Sequence, residues 1–291
     1  MTTSGLRGVI AAAPTPIGAG FEPDLPRFVV LCGRLLANGC DGLNICGTTG
    51  EATSLTIEQR VRVMRAAASD LPLARLMVGT GAASVGDAVT LTKEAEALGF
   101  AGALLLPPFY YKGVSDDGIV RYFDRIVSET ASIDLYLYNF PALSGVEYSR
   151  VMVGRLLSAF GERIVGLKDS SGNLDYAAGI ATLSPRLRVF PSNEAVLLKA
   201  RAGVFAGCIS GSANVNSEFC ARAFNDGDEE ALATAVAIRS LVSKNPLIPS
   251  VKAVLAYQMK DAAFENVLPP LAELSEGDKR DLVREVSPLL A

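Results

Sequence analysis

The run R-I-V-G-L-K-D-S-S-G at positions 163 to 172 places Lys168 at the end of an apolar segment, just before a polar turn. Ile164, Val165 and Leu167 have the character of a strand buried in a parallel sheet. An ammonium at the end of such a strand is partly desolvated, which favours the neutral amine, and a neutral lysine attacks carbonyls to form a Schiff base. The chain has eight lysines, and the other seven fall in helical patterns or loops where a solvated ammonium costs nothing. Asp169 is the neighbour that could instead neutralise Lys168 as an ion pair. Histidine is absent, which removes the usual general base, the commonest metal ligand and every Ser-His or Cys-His nucleophile pair. Proton transfer must then use tyrosine, lysine, carboxylates, water or the substrate itself.

Three further stretches carry reactive or hydrogen-bonding groups. G-T-T-G-E (47 to 51) offers two hydroxyls and exposed amides, Y-N-F-P (138 to 141) a phenol, and P-P-F-Y-Y-K (107 to 112) two adjacent tyrosines. Taken singly, each has an ordinary reading. The first can be a tight strand-to-helix connection, Tyr138 a core residue with a satisfied hydroxyl, and Tyr110 and Tyr111 rim aromatics.

The elements that would position these groups recur along the chain. Short apolar runs occur at 8 to 13, 42 to 47, 76 to 81, 102 to 107, 134 to 140, 164 to 168, 188 to 193 and 207 to 212, with helical patterns between them. Thr56 and Gln59 form a capping box, and Gly99 closes the helix that carries Leu91, Ala95 and Leu98. Eight strands alternating with helices predict a parallel sheet, and at 291 residues the simplest closure is a TIM (β/α)8 barrel. The barrel is expected over residues 1 to 225, followed by a C-terminal helical appendage over 226 to 291, with helical patterns at 228 to 243, 250 to 262 and 276 to 289. Catalytic groups of such barrels gather at the C-terminal strand ends, where all four motifs fall.

A hydrophobic content of 49% is ample for a large core. The net charge is −4, and without a basic cluster nucleic acid is not an expected partner. Five cysteines without paired spacing read as small buried thiols in a reducing compartment. No stretch approaches 18 apolar residues and the N-terminal run is short and Pro-broken, so neither a membrane nor a signal peptide is expected, and the location is read as cytoplasmic.

G-T-T-G-E, Y-N-x-P and G-L-K-D-S-S-G, in this order and spacing, resemble the dihydrodipicolinate synthase/N-acetylneuraminate lyase family of class I aldolases. The resemblance covers essentially the whole chain, including N-P-L-I-P-S-V-K at 245 to 252. It implies a carbon–carbon lyase in which Lys168 forms an imine with pyruvate, so that no separate cofactor is needed. Tyr138 would relay protons, and Thr48 and Thr49 would hold the pyruvate carboxylate. Tyr111, with Tyr110 as the alternative, would reach into a neighbouring subunit's site, within a homotetramer built as a dimer of dimers. Ile209, Ser170, Asn193, Glu194 and Leu143 are the expected substrate contacts.

The second substrate separates the branches. Synthases carry an arginine shortly after Y-N-x-P, where this chain has Leu143, whereas P-A-L-S-G resembles the lyase branch. That branch has an Asp-Glu pair after strand seven and a serine after strand eight, matched here by Asn193-Glu194 and Gly211. The expected substrate is a 2-keto acid with a neutral far end, a 2-keto-3-deoxy sugar acid or an N-acetylneuraminate-like compound. The alternative within the family is 4-hydroxy-tetrahydrodipicolinate synthesis from pyruvate and aspartate semialdehyde. From other classes, a non-catalytic keto-acid sensor and a phosphate-binding barrel using Gly207 to Asn214 are the competing readings.

Overall fold

Each apolar run forms a strand of four to six residues, too short to leave a face in water once helices cover it. The strands are β1 (Gly8–Ala12), β2 (Gly42–Ile45), β3 (Leu76–Gly79), β4 (Gly102–Leu105), β5 (Leu135–Asn139), β6 (Ile164–Asp169), β7 (Arg188–Pro191) and β8 (Gly207–Ser210). The structure, a computed structural model, describes residues 5–290. All strand pairs are parallel, in the order β7-β6-β5-β4-β3-β2-β1-β8. At the seam between β7 and β8, Ala206 N donates to Val189 O at 2.9 Å. The result is a TIM barrel.

Helices α1 (Leu25–Ala37), α2 (Ile57–Asp70), α3 (Val85–Leu98) and α4 (Asp116–Glu129) follow the first four strands. After β5 come the single turn α5 (Pro141–Ser144) and α6 (Arg150–Phe160), then α7 (Leu174–Ala181) after β6, α8 (Leu197–Arg201) after β7 and α9 (Ala213–Asp226) after β8. The C-terminal segment adds α10 (Glu229–Val242), α11 (Leu247–Met259) and α12 (Glu276–Val286). Both sides of the Thr56/Gln59 capping box are formed, and Gly99 caps α3 with φ 86°. Among the described residues no helix is long and apolar enough to cross a membrane.

Because successive strand residues face opposite sides, the sheet has two cores. Ile10, Ala12, Met77, Leu104, Tyr136, Tyr138, Phe190 and Ile209 fill the barrel interior. Val9, Leu43, Ile45, Val78, Leu137, Leu167 and Val189 face the helices. The five cysteines are buried and free, and burial pushes the Cys46 thiol up to about 11 and that of Cys40 to about 12.

One irregularity sets the phase of β6. Leu135 lies opposite Ile164, but Tyr136 lies opposite Gly166, so Val165 is an extra residue. Ile164 packs in the outer core, Val165 against the inner one and Leu167 in the outer one again. Strict alternation from Ile164 would have turned Lys168 outward, and the bulge turns it inward beside Tyr138. The same place is sterically tight. A Cβ on Gly166 would come within 2.4 Å of the Tyr136 ring and 2.8 Å of Arg188 O, and one on Gly102 within 2.7 Å of the other side of that ring.

Two alanine substitutions therefore have opposite expected signs. Gly166→Ala overpacks the barrel interior and lowers stability by about 1–3 kcal/mol. Gly154→Ala, in α6 with no heavy atom within 4 Å of the added methyl, raises stability by about 0.5–1 kcal/mol. Urea denaturation of both variants checks the pair, and equal shifts would contradict the packing described.

Candidate active site

Lys168 ends β6 on the inward face and is 4% exposed. Its Nζ lies 4.3 Å from the centroid of the Tyr138 ring, which puts the amine over an electron-rich face rather than against a carboxylate. Asp169 does not neutralise it. One residue further along, its carboxylate accepts hydrogen bonds from Asn139 Nδ2 (2.8 Å), Ser171 N (3.2 Å) and Ser171 Oγ (2.9 Å). Burial, opposed by these hydrogen bonds, still leaves the Asp169 carboxyl above its ordinary range. Asn139 Oδ1 in turn accepts from Tyr148 N at 3.1 Å, so the two strand ends are tied together by bonds that do not involve the amine.

Tyr138 is 4% exposed, and its hydroxyl is 3.2 Å from Thr48 Oγ1. The strand-two loop thus meets β5 and β6 at one point. Glu51 N donates to Thr48 O (3.0 Å) and Ala52 N to Gly47 O (3.2 Å), folding residues 47 to 52 into a tight loop before a short 3-10 turn, Ala52–Ser54. The loop therefore does not open directly onto α2. Thr48 and Thr49 N–H make no backbone hydrogen bond among the described residues, so they remain available to an anion.

These groups line a cavity of about 520 Å³. Thr48, Thr49, Tyr138, Lys168 and Ile209 line it, together with Leu143, Ser170 and Asn193. The C-terminal segment supplies the remaining wall, Arg239 together with residues 246 to 249 and Leu271. Asn193 has a second duty, its Oδ1 accepting from Ala195 N at 3.0 Å.

Glu194 departs from the sequence expectation. It does not line the cavity; it is fully buried, with Oε1 accepting from Ser210 Oγ (3.0 Å) and Ser212 Oγ (2.5 Å) and Oε2 from Arg239 Nη1 (2.8 Å). A buried carboxylate needs such a set of donors, and at this depth it is out of a substrate's reach. The residue that reaches the cavity is its partner, Arg239. The sequence reading missed Arg239 because a lone arginine on an amphipathic helix looks like any solvated one.

Tyr110 and Tyr111 are 79% and 74% exposed, stacked edge to face at 5.4 Å, and line neither this cavity nor any other described one. Tyr110 has φ 91°, an unusual value for a residue with a side chain. Leu143 is 56% exposed at the rim. A second, mainly apolar cavity of about 260 Å³ lies across Thr48, Tyr138 and Leu143 from the first, walled by Leu104, Leu106 and Phe109. The expectation that the other seven lysines are solvated fails at Lys252, which is 1% exposed.

Comparison with known proteins places this geometry. The profile of the dihydrodipicolinate synthetase family matches residues 6–288. An uncharacterized DapA-like lyase of Chloroflexus aurantiacus is 31% identical over 91% of this chain and 92% of its own. The dihydrodipicolinate synthase of Agrobacterium tumefaciens superposes with a TM-score of 0.91 at 29% identity, over 98% of this chain and all of that one. YagE of E. coli K12, a prophage protein of the dihydrodipicolinic acid synthase family solved in complex with pyruvate, superposes at 0.89 with 25% identity, covering 98% of both chains. A match over nearly the full length, on a barrel whose lysine, tyrosine and threonine meet at one mouth, settles the assignment: this chain belongs to the dihydrodipicolinate synthetase family and is a carbon–carbon lyase of the aldolase type.

Proposed function

We propose that this chain is a class I, pyruvate-dependent aldolase in which Lys168 is the imine-forming residue, and that its second substrate is an aldehyde with a neutral, hydroxylated tail. The observation that carries the reading is the buried Lys168 amine facing Tyr138, whose hydroxyl meets Thr48. Thr48 and Thr49 take the carboxylate of the 2-keto acid through hydroxyls and amides, without an arginine. The amine adds to C2, water leaves, and an iminium forms. Tyr138 takes the proton from the C4 hydroxyl as the C3–C4 bond breaks, and the electron pair moves into the iminium as an enamine. The aldehyde departs, C3 is protonated, and water hydrolyses the imine to release pyruvate. Addition runs through the same states in reverse. A phenol suits the relay because it can donate and accept without leaving its place.

The tail preference follows from the rim. Leu143 offers no donor, and the Arg239 guanidinium is already engaged by Glu194, while Ser170, Ser192 and Asn193 present neutral hydrogen-bonding groups. Condensation of pyruvate with aspartate semialdehyde is the second reading, favoured by the presence of Arg239 in the cavity wall. An unpaired carboxylate at the rim costs on the order of 1 to 3 kcal/mol, roughly a ten- to hundredfold loss in kcat/KM.

The assembly proposed is a homotetramer in which Tyr111 of one subunit completes the site of another. Two exposed tyrosines following Pro107, Pro108 and Phe109 make an apolar projection that water does not favour, and the apolar cavity beside Tyr138 is a socket of suitable size.

Three measurements test these statements. Pyruvate with borohydride should leave a reduced adduct on the peptide containing Lys168, and Lys168→Arg should abolish turnover with the fold intact, since a guanidinium stays protonated; an adduct on another lysine, or none, refutes the mechanism. In a panel of 2-keto-3-deoxy acids and aldehydes, the best neutral substrate should exceed aspartate semialdehyde in kcat/KM by about ten- to hundredfold, with Leu143→Arg narrowing the gap; a lead for aspartate semialdehyde favours the synthase reading. Mixed oligomers of Tyr111→Phe and Lys168→Ala subunits should recover about one intact site in four by random pairing. No recovery in confirmed heteromers would place Tyr111 in its own subunit's site.

A further inference from the structure

The strand-two loop holds its shape under backbone strain. Cys46 and Glu51, which bracket Gly47 to Gly50, have φ of 49° and 55°, in the left-handed region that residues with side chains rarely occupy. Such conformations persist only where the surroundings over-determine them. Next to Glu51, Thr15 Oγ1 donates to Gly50 O at 2.8 Å. At the far end, the Glu51 side chain is fully buried and faces the equally buried Lys252 of α11. Lys252 Nζ donates to Glu51 Oε1 and, at 2.6 Å, to Asn266 O. Leu268 N donates to Glu51 Oε2 at 2.6 Å, and Asn266 Nδ2 to Ile17 O at 2.7 Å. Burial lowers the Lys252 ammonium from its ordinary range, opposed by Glu51. Neither residue lines the substrate cavity, yet Glu51 lies two residues from Thr49 and its amide is bonded to Thr48 O.

We propose that Glu51 and Lys252 are positioning residues for the carboxylate-binding loop: a buried ion pair, carried by the C-terminal helices, that holds Thr48 and Thr49 in the conformation that receives the pyruvate carboxylate. The inference rests on the assignment of those threonines under the proposed function. Removing the pair releases the strained end of the loop, and a displacement of about 1 Å at a binding group is enough for large losses. Lys168, on β6, is untouched. Carboxylate capture should therefore weaken while amine chemistry at saturation persists, a split that general destabilisation would not produce.

The test uses the full chain and pyruvate alone. The rate of borohydride-trapped adduct formation at Lys168 is measured against pyruvate concentration for the wild type, Glu51→Gln, Lys252→Met and the doubly neutral Glu51→Leu/Lys252→Met, in which no buried charge is left unpaired. Variants that are folded by circular dichroism should need about tenfold more pyruvate for half-saturation, with the maximal rate within about threefold of wild type. Unchanged half-saturation in a folded variant overturns the proposal. A hydrogen-exchange comparison of free and pyruvate-reduced wild-type enzyme provides an arm independent of folding. Protection should rise together over 47 to 52 and over 251 to 268, beyond the residues that line the cavity, and a rise confined to the first segment counts against the coupling. Failure of the wild type to trap pyruvate at Lys168 would instead sink the functional reading.

Discussion

The mouth of this barrel depends on the pairing of β5 with β6, and in particular on the extra residue at Val165. Because the side-chain period of a strand is two, a shift of one position exchanges its faces. The bulge uses this rule within a single strand: below it Ile164 faces the helices, and above it Lys168 faces the axis beside Tyr138. The neighbouring Asn139 and Asp169, also in register, then fall on the alternate face, where they bond each other. One inserted residue thus decides that the amine, and not the carboxylate next to it, faces the barrel axis. The glycines at 102 and 166 belong to the same arrangement, since the ring of Tyr136 occupies the space where their side chains would be.

Much of the scaffold was legible in the sequence, because buried parallel strands read as apolar runs and the intervening helices carry capping signals such as Thr56 and Gln59. The observed ladders stop one or two residues before most of the apolar runs do, as at Gly42–Ile45, where the chain leaves the sheet to form the site. The three motifs led to Lys168, Tyr138 and Thr48 because each is local and each sits at a strand end. What was not legible depends on distant partners. Glu194 looks the same in sequence whether it faces substrate or the arginine of another helix, and only the approach of α10 decides it. Arg239 and Lys252 are single cations on helices, and nothing in their own neighbourhood marks one as wall and the other as anchor. The bulge was invisible because an extra apolar residue in an apolar run leaves the composition unchanged.

Two ion pairs with buried carboxylates, Glu194 with Arg239 and Glu51 with Lys252, divide the work of joining the C-terminal helices to the barrel. Glu194 with Arg239 ties α10 to the ends of β7 and β8 through Ser210 and Ser212. Glu51 with Lys252 ties α11 to the loop after β2. Buried pairs are weak contributors to net stability compared with apolar packing, but leaving one member alone is costly. Their value here is geometric: each can be satisfied only in one docking of the helices, and that docking also closes the cavity wall.

The partners of the second pair stand 201 positions apart in the chain. A ribosome delivers all eight strands by Ser210, so the barrel can begin to close before residue 252 has emerged, and domains do begin folding during synthesis. In that interval Lys168 and Tyr138 can already be neighbours, while the strand-two loop lacks its anchor. The loop after β2 therefore waits on the docking of α11, a segment made after every strand of the barrel.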